Sequence, residues 1–384
     1  MEGEDCPRRA RIQADGQSTM KLLVLAQTPP PVHGQSLAVE ALVNHLRAQP
    51  GWEVHHVNLR LSRDATDIGR WRPGKVFSIL GACVRTWATF LRHGRMAVYY
   101  VPAPGKRGAL YRDWLVLALC RPLARGLILH WHAVGLGAWL DTQARPWERA
   151  ISSRLLGGAT LAIAQADIGR VDAERLAPQH GVVVRNGVED PCPDFAAKTA
   201  FHRPLEVAFV GLGAREKGLL DALDGVALAH AREPHAFRFT AVGAFADSAT
   251  EREFRECAAP LGAAVRHLGF VTDAERDAVL RAADIFCFPS YYPHEGQPAV
   301  LLEALAHDLP IITTRWRGIP ENLPAAHIYF VDPRSPQQIA DQLVRARRAG
   351  AAGGALRRHY LAHFTRARHL AALTQALEPY CRPA

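Results

Sequence analysis

The chain has 384 residues, 48% of them hydrophobic and 22% charged, with a net charge of +9. That length and composition exclude a single small core, a disordered chain and a coiled coil. No apolar run nears the roughly 18 residues of a membrane span, and seven scattered cysteines without a C-x-x-C pair exclude a disulfide scaffold or a structural zinc site.

Residues 1–19 are polar, lack the apolar run of a secretory signal and read as a loose tail. From Met20 onward, short apolar runs alternate with helical patterns. Strands are predicted at 21–27, 53–59, 97–101, 126–130, 160–163 and 182–185, with helices at 36–48, 76–93 and 108–125. Across 191–204 the periodicity stops and prolines mark a linker. It restarts with strands at 205–210, 237–242, 265–268, 285–289, 310–314 and 328–331. Helices are predicted at 216–230, 249–261, 273–283, 298–307, 336–349 and 354–377. The pattern is that of two tandem α/β domains, Rossmann-like and doubly wound, at 20–190 and 205–364. Residues 365–384 are expected to form a helix crossing back to the first domain. In such sheets ligands bind beyond the carboxyl ends of the strands, so the expected site is the cleft where the domains face each other.

The segment 284–314 reads as strand, loop, helix, strand. Pro298 suits a first helical position, so the free amides of the first turn, from Ala299 on, point back into the loop of Gly296, Gln297 and Pro298, where an anion can bind. Glu295 sits in the loop, in a context that reads as exposed. Glu303 falls five residues into the helix, about 7–8 Å along its axis. Two carboxylates so spaced suit the two ends of a ligand with phosphates between them, because each accepts from paired hydroxyls. Solvated acids on a surface helix are the bland alternative.

The E-x7-E spacing with E-G-x-P, the small and aliphatic helix, and Leu309-Pro-Ile-Ile-Thr-Thr314 together resemble the retaining glycosyltransferases of the GT-B fold, the nucleotide-sugar family numbered 4 (glycosyl transferases group 1). Arg317-Gly-Ile-Pro-Glu321 is similar to that family's G-G-x-x-E turn, with Arg in place of one glycine. Val207 to Leu219 enters a glycine turn, but Glu216 breaks a G-x-G-x-x-G fingerprint, and no acid closes the second strand, so a dehydrogenase is excluded. Against the family pattern Glu216-Lys217-Gly218 matches, whereas Leu212 stands where an arginine after Gly211 is expected. Arg215, beyond Gly213, is the candidate replacement.

The resemblance implies a nucleotide-diphosphate-sugar donor and neither metal nor other cofactor, and no D-x-D triplet is present. It implies Lys217 on the diphosphate, Glu303 on the ribose, Glu295 on the donor sugar, and His132, at the end of a first-domain strand, facing that sugar. His130 reads as packing. Phe270 sits where relatives hold the base, with core packing the alternative. His33 and Gly34 lie in the family's first glycine loop, on the acceptor side. The same fold also serves sugar-nucleotide epimerases and phosphorylases, and a non-catalytic scaffold would tolerate Leu212.

Residues 60–130 hold 13 basic and 3 acidic residues. Residues 71–125 interleave these arginines with aromatics, which fits either an anionic membrane surface or a core helix with a solvated face. No recognition motif points to nucleic acid. The expectation is a cytoplasmic enzyme at the inner membrane face, extending a lipid-linked saccharide for a surface polysaccharide.

Overall fold

The computed structural model describes residues 19–30, 34–59 and 73–382, with the side chains of 73–75 excepted. In the first domain β1 (Met20–Ala26), β2 (Trp52–Asn58), β3 (Ala97–Tyr100), β4 (Gly126–Trp131), β5 (Leu161–Ala164) and β6 (Gly181–Val183) form one parallel sheet in the order β2-β1-β3-β4-β5-β6. The helices are α1 (Gly34–Ala48), α2 (Pro73–His93), α3 (Arg107–Cys120), α4 (Leu136–Thr142), α5 (Pro146–Leu155) and α6 (Asp167–Glu174).

The second domain repeats the plan. Its strands are β7 (Leu205–Val210), β8 (Phe237–Val242), β9 (Val265–His267), β10 (Ile285–Phe288), β11 (Ile311–Thr314) and β12 (Ile328–Val331), in the order β12-β11-β10-β7-β8-β9. Its helices are α7 (Leu219–Arg232), α8 (Ser248–Ala258), α9 (Asp273–Ala282), α10 (Ala299–Ala306), α11 (Pro336–Ala349), α12 (Ala355–His363) and α13 (Arg366–Cys381). The strands β3, β5, β10 and β11 are buried at every residue, so β3, β5 and β10 are apolar throughout and β11 opens on Ile311 and Ile312.

The structure differs from the sequence reading in three respects. The helix expected at 354–377 is two, because Phe364 is buried and its carbonyl accepts from Val188, while Thr365 caps the next helix. Pro298 is the N-cap of α10, with extended backbone, and Ala299 is the first helical residue. Helices α4 to α6 have no counterpart in the reading. Leu370, Leu373, Leu377 and Cys381 of α13 are buried in one cluster with β1 and α1, so the chain's last described helix completes the first domain's core.

Candidate active site

The site grows from two strand-to-helix turns at the carboxyl edge of the second sheet. After β7 the chain makes a 3-10 turn, Arg215–Lys217, closed by Gly218 in the left-handed region at φ 79°. A Cβ on Gly218 would stand 2.4 Å from the Pro289 carbonyl oxygen, so only glycine lets this turn press against the end of β10. The contact is stitched by Tyr291 N–H donating to the Glu216 carbonyl at 2.8 Å.

That approach brings Lys217 to Glu295. The ammonium donates to Glu295 Oε2 at 2.7 Å, and Ser290 Oγ donates to the same oxygen at 2.7 Å. Lys217 Nζ also lies 4.5 Å from the centre of the Tyr292 ring. Glu295 is buried, at 7% exposure, which corrects its reading as an exposed loop acid. A buried carboxylate needs paired donors, and the sequence supplies them from 78 positions away and from Ser290. Thr313 and Thr314 brace the loop from below, donating to the carbonyls of Phe288 and Ser290.

Glu303 occupies α10 with a side chain 15% exposed. Burial pushes its carboxyl up to about 7, and Arg276, with Nε 3.3 Å from Oε2, only partly offsets this. Glu303 Oε2 has no hydrogen-bond partner in the described structure. A half-buried acid with an unsatisfied oxygen suits a ligand bearing hydroxyl donors.

Gly211 and Gly213 shape the turn after β7. Their amides donate to the carbonyls of Val242 and Ala244, so the turn lies along the end of β8. Leu212 between them is 52% exposed. Arg215 turns to Glu253 of α8 and forms an ion pair there. Phe270 is 85% exposed beyond β9, so core packing is not its role.

The first domain meets this edge directly. His132 follows β4, and Gln165 Nε2 donates to its Nδ1 at 2.9 Å. A Cβ on Gly296 would lie 3.2 Å from the His132 carbonyl, so the Glu295–Gly296 loop touches the end of β4. His130, one pleat earlier, is buried with Tyr99 OH 2.5 Å from its Nδ1, and burial holds it well below the usual imidazole range. Gln297 Oε1 accepts from Asn186 N–H at 2.5 Å. His294 Nδ1 lies 3.0 Å from the Val134 carbonyl. Glu321 of the R-G-x-x-E turn accepts from the amides of Asp167 and Ile168, at 2.5 and 3.1 Å, capping α6 across the cleft. Ser290, Tyr292, Gln165 and Arg276 carried no signal in the sequence, because each matters only through a partner brought near by folding. Gly34 opens α1 and is exposed, whereas His33 lies outside the described residues.

Among the described residues, a histidine and carboxylate cluster with metal-ligand spacing occurs at Glu53, His55 and His93. Lys21 Nζ already pairs with Glu53 there at 3.1 Å, and the group sits on β2 and the end of α2, away from the Lys217–Glu295 pair.

Residues 204–348 match the family model described as glycosyl transferases group 1. The amylovoran biosynthesis glycosyltransferase AmsK of Erwinia amylovora is 29% identical over 143 residues, 36% of this chain and 35% of the relative. The putative colanic acid biosynthesis glycosyltransferase WcaL of Salmonella typhimurium is 29% identical over 188 residues, 47% and 45% of the two lengths. The chain thus spans less than half the length of these curated relatives. Solved structures align over nearly all of it. Sucrose-phosphate synthase from Thermosynechococcus elongatus superposes with a TM-score of 0.70 at 18% identity, covering 94% of this chain and 98% of that one. Anabaena HepE, solved with UDP and glucose, gives 0.68 at 16% identity over 94% and 100%. The chain has the GT-B fold, and its residues 204–348 are similar to the family described as glycosyl transferases group 1.

Proposed function

We propose that the protein is a glycosyltransferase that moves a sugar from a nucleotide-diphosphate sugar, with retention, to a lipid-linked saccharide during surface polysaccharide synthesis. The observation that carries this reading is the Lys217–Glu295 pair at the cleft mouth, with Glu303 one helix segment behind it. Support for the donor class comes from neighbours solved with UDP, UDP and glucose, or UDP-glucose. Support for the pathway class comes from relatives named for amylovoran, colanic acid and teichuronic acid biosynthesis.

In this mechanism Lys217 leaves Glu295 to meet the donor diphosphate, joined by the amides at the start of α10, which no side chain of the N-cap residue occupies. Both offset charge that grows on the departing phosphate, where stabilisation lowers the barrier most. Glu295, released from the lysine, accepts from donor sugar hydroxyls, and Glu303 accepts from the ribose. His132 approaches the sugar from the opposite domain. The departing phosphate takes the acceptor proton, so no side chain serves as general base and no metal is required. The inter-domain contacts at Glu321, Gln297 and His294 exclude water from the closed cleft and limit donor hydrolysis.

The test incubates the purified protein and a lipid extract with radiolabelled UDP- and GDP-sugars and reads label in the lipid fraction. Transfer from one donor, lost in Glu295→Ala, is expected. An epimerised nucleotide sugar as sole product, or no turnover of any donor, overturns the reading.

A further inference from the structure

Helix α2 carries more apolar surface than its own domain uses. Ile79, Ala82, Cys83 and Phe90 form its inner face and are buried. A second stripe, Phe77, Leu80, Val84, Trp87 and Leu91, runs beside it at alternating spacings of three and four residues. Such spacing aligns these side chains along one line of the helix. They are 75%, 40%, 58%, 37% and 87% exposed. Single exposed leucines are ordinary, but a continuous stripe over four turns marks a contact surface.

The charged side chains that α2 itself carries have one sign. Several arginines of the basic region are held by internal partners. Arg95 donates to the carbonyls of Pro122, Leu123 and Ala124, Arg121 to those of Arg154 and Leu155, Arg107 to Glu148, and Arg112 to Asp113. Arg85 and Arg92 differ. Both are exposed on α2 with no ion pair among the described residues, and α2 contains no acidic residue. In α3, packed beside it, the one acid is Asp113, which is fully buried.

Resting on the reading that the acceptor is lipid-linked, we propose that α2 is the element that docks the enzyme on an anionic bilayer, its apolar stripe in the acyl boundary and Arg85 and Arg92 among the headgroups. Charge decides against a second copy of the chain. Two such faces would set arginines against arginines with no exposed acid on α2 or α3 to relieve them, whereas anionic headgroups complement them. Of the region 71–125, this assigns the membrane contact to one helix and leaves Arg95, Arg107, Arg112 and Arg121 as structural groups.

Flotation with vesicles of phosphatidylcholine containing 30% phosphatidylglycerol tests the assignment, with pure phosphatidylcholine vesicles and high salt as comparisons. The parent should float with the anionic vesicles at low salt and much less with the neutral ones or at high salt. Arg85→Ser/Arg92→Ser should weaken partitioning by about thirtyfold at low salt, and Val84→Glu/Leu91→Glu by at least about tenfold. These positions are exposed, so circular dichroism and turnover of a detergent-soluble acceptor should stay at the parent's level. That second readout separates failure of docking from failure of the proposed reaction. A parent that stays unbound, variants that float like the parent, or a dimer in light scattering that the α2 variants dissociate without altering flotation would overturn the proposal.

Discussion

Lys217 and Glu295 stand 2.7 Å apart because Gly218 and Pro289 stand in van der Waals contact. The ion pair joins two strand-to-helix turns that share no sequence neighbourhood, and the glycine controls whether they meet.

Gly218→Ala is therefore predicted to separate the turns. The new methyl would meet backbone atoms of Pro289 that have no freedom to move aside, at a φ of 79° that side chains rarely adopt. Urea melts should show a loss of about 2–4 kcal/mol. Donor affinity should fall with it, and an alanine variant with unchanged stability would contradict the packing argument.

Glu303 makes the protein's pH response specific. Its folded value of about 7 lies above the ordinary 4.5, so the folded state holds the proton more tightly than the unfolded one. Stability is then lost as pH rises from about 4.5 to 7, and the loss persists above that. Glu303→Gln removes the ionisation. It should leave the protein about 2–3 kcal/mol more stable than the parent at pH 8 and near equal at pH 4, while weakening donor binding at both. Parallel stability curves for the two proteins would refute the assignment.

His307 and His369 act with the opposite sign. Burial holds both at about 4, below the ordinary 6.5, with Arg281 assisting at His307 and Arg366 at His369. The unfolded chain binds more protons between those values, so their contribution is intact above pH 6.5 and disappears as pH falls toward 4. Calorimetry of His369→Gln across pH 4–7 should show a shallower acid loss than the parent. An unchanged slope would mean that His369 titrates normally.

Glu321 couples the two domains through the first turn of α6. Glu321→Ala removes a helix cap worth about 1 kcal/mol and with it two hydrogen bonds between the domains. Small-angle scattering should show a larger radius, and donor hydrolysis should rise relative to transfer. The same radius with the same ratio of hydrolysis to transfer would leave Glu321 as a local cap only.

Much of the fold was legible in the sequence for a physical reason. Parallel strands covered on both faces carry apolar runs such as Ile285–Phe288, and the helices between them show a 3.6-residue period. The short helices α4 to α6 span too few turns to establish that period. The break between α12 and α13 was hidden because it depends on Phe364 and Thr365 meeting Val188, far back in the chain. The same holds at the site. Glu295 read as exposed because nothing near it in sequence satisfies a buried charge except Ser290, whose orientation folding alone supplies.

In the proposed reaction Lys217 exchanges Glu295 for a donor diphosphate. Calorimetric titration of the parent, Lys217→Ala and Glu295→Ala with UDP, GDP and their sugar conjugates tests it most directly. Lys217→Ala should lose affinity for nucleotide diphosphate and nucleotide sugar alike, by about 10- to 100-fold, whereas Glu295→Ala should lose only the increment that the sugar adds. Equal binding of all ligands by the three proteins would contradict it.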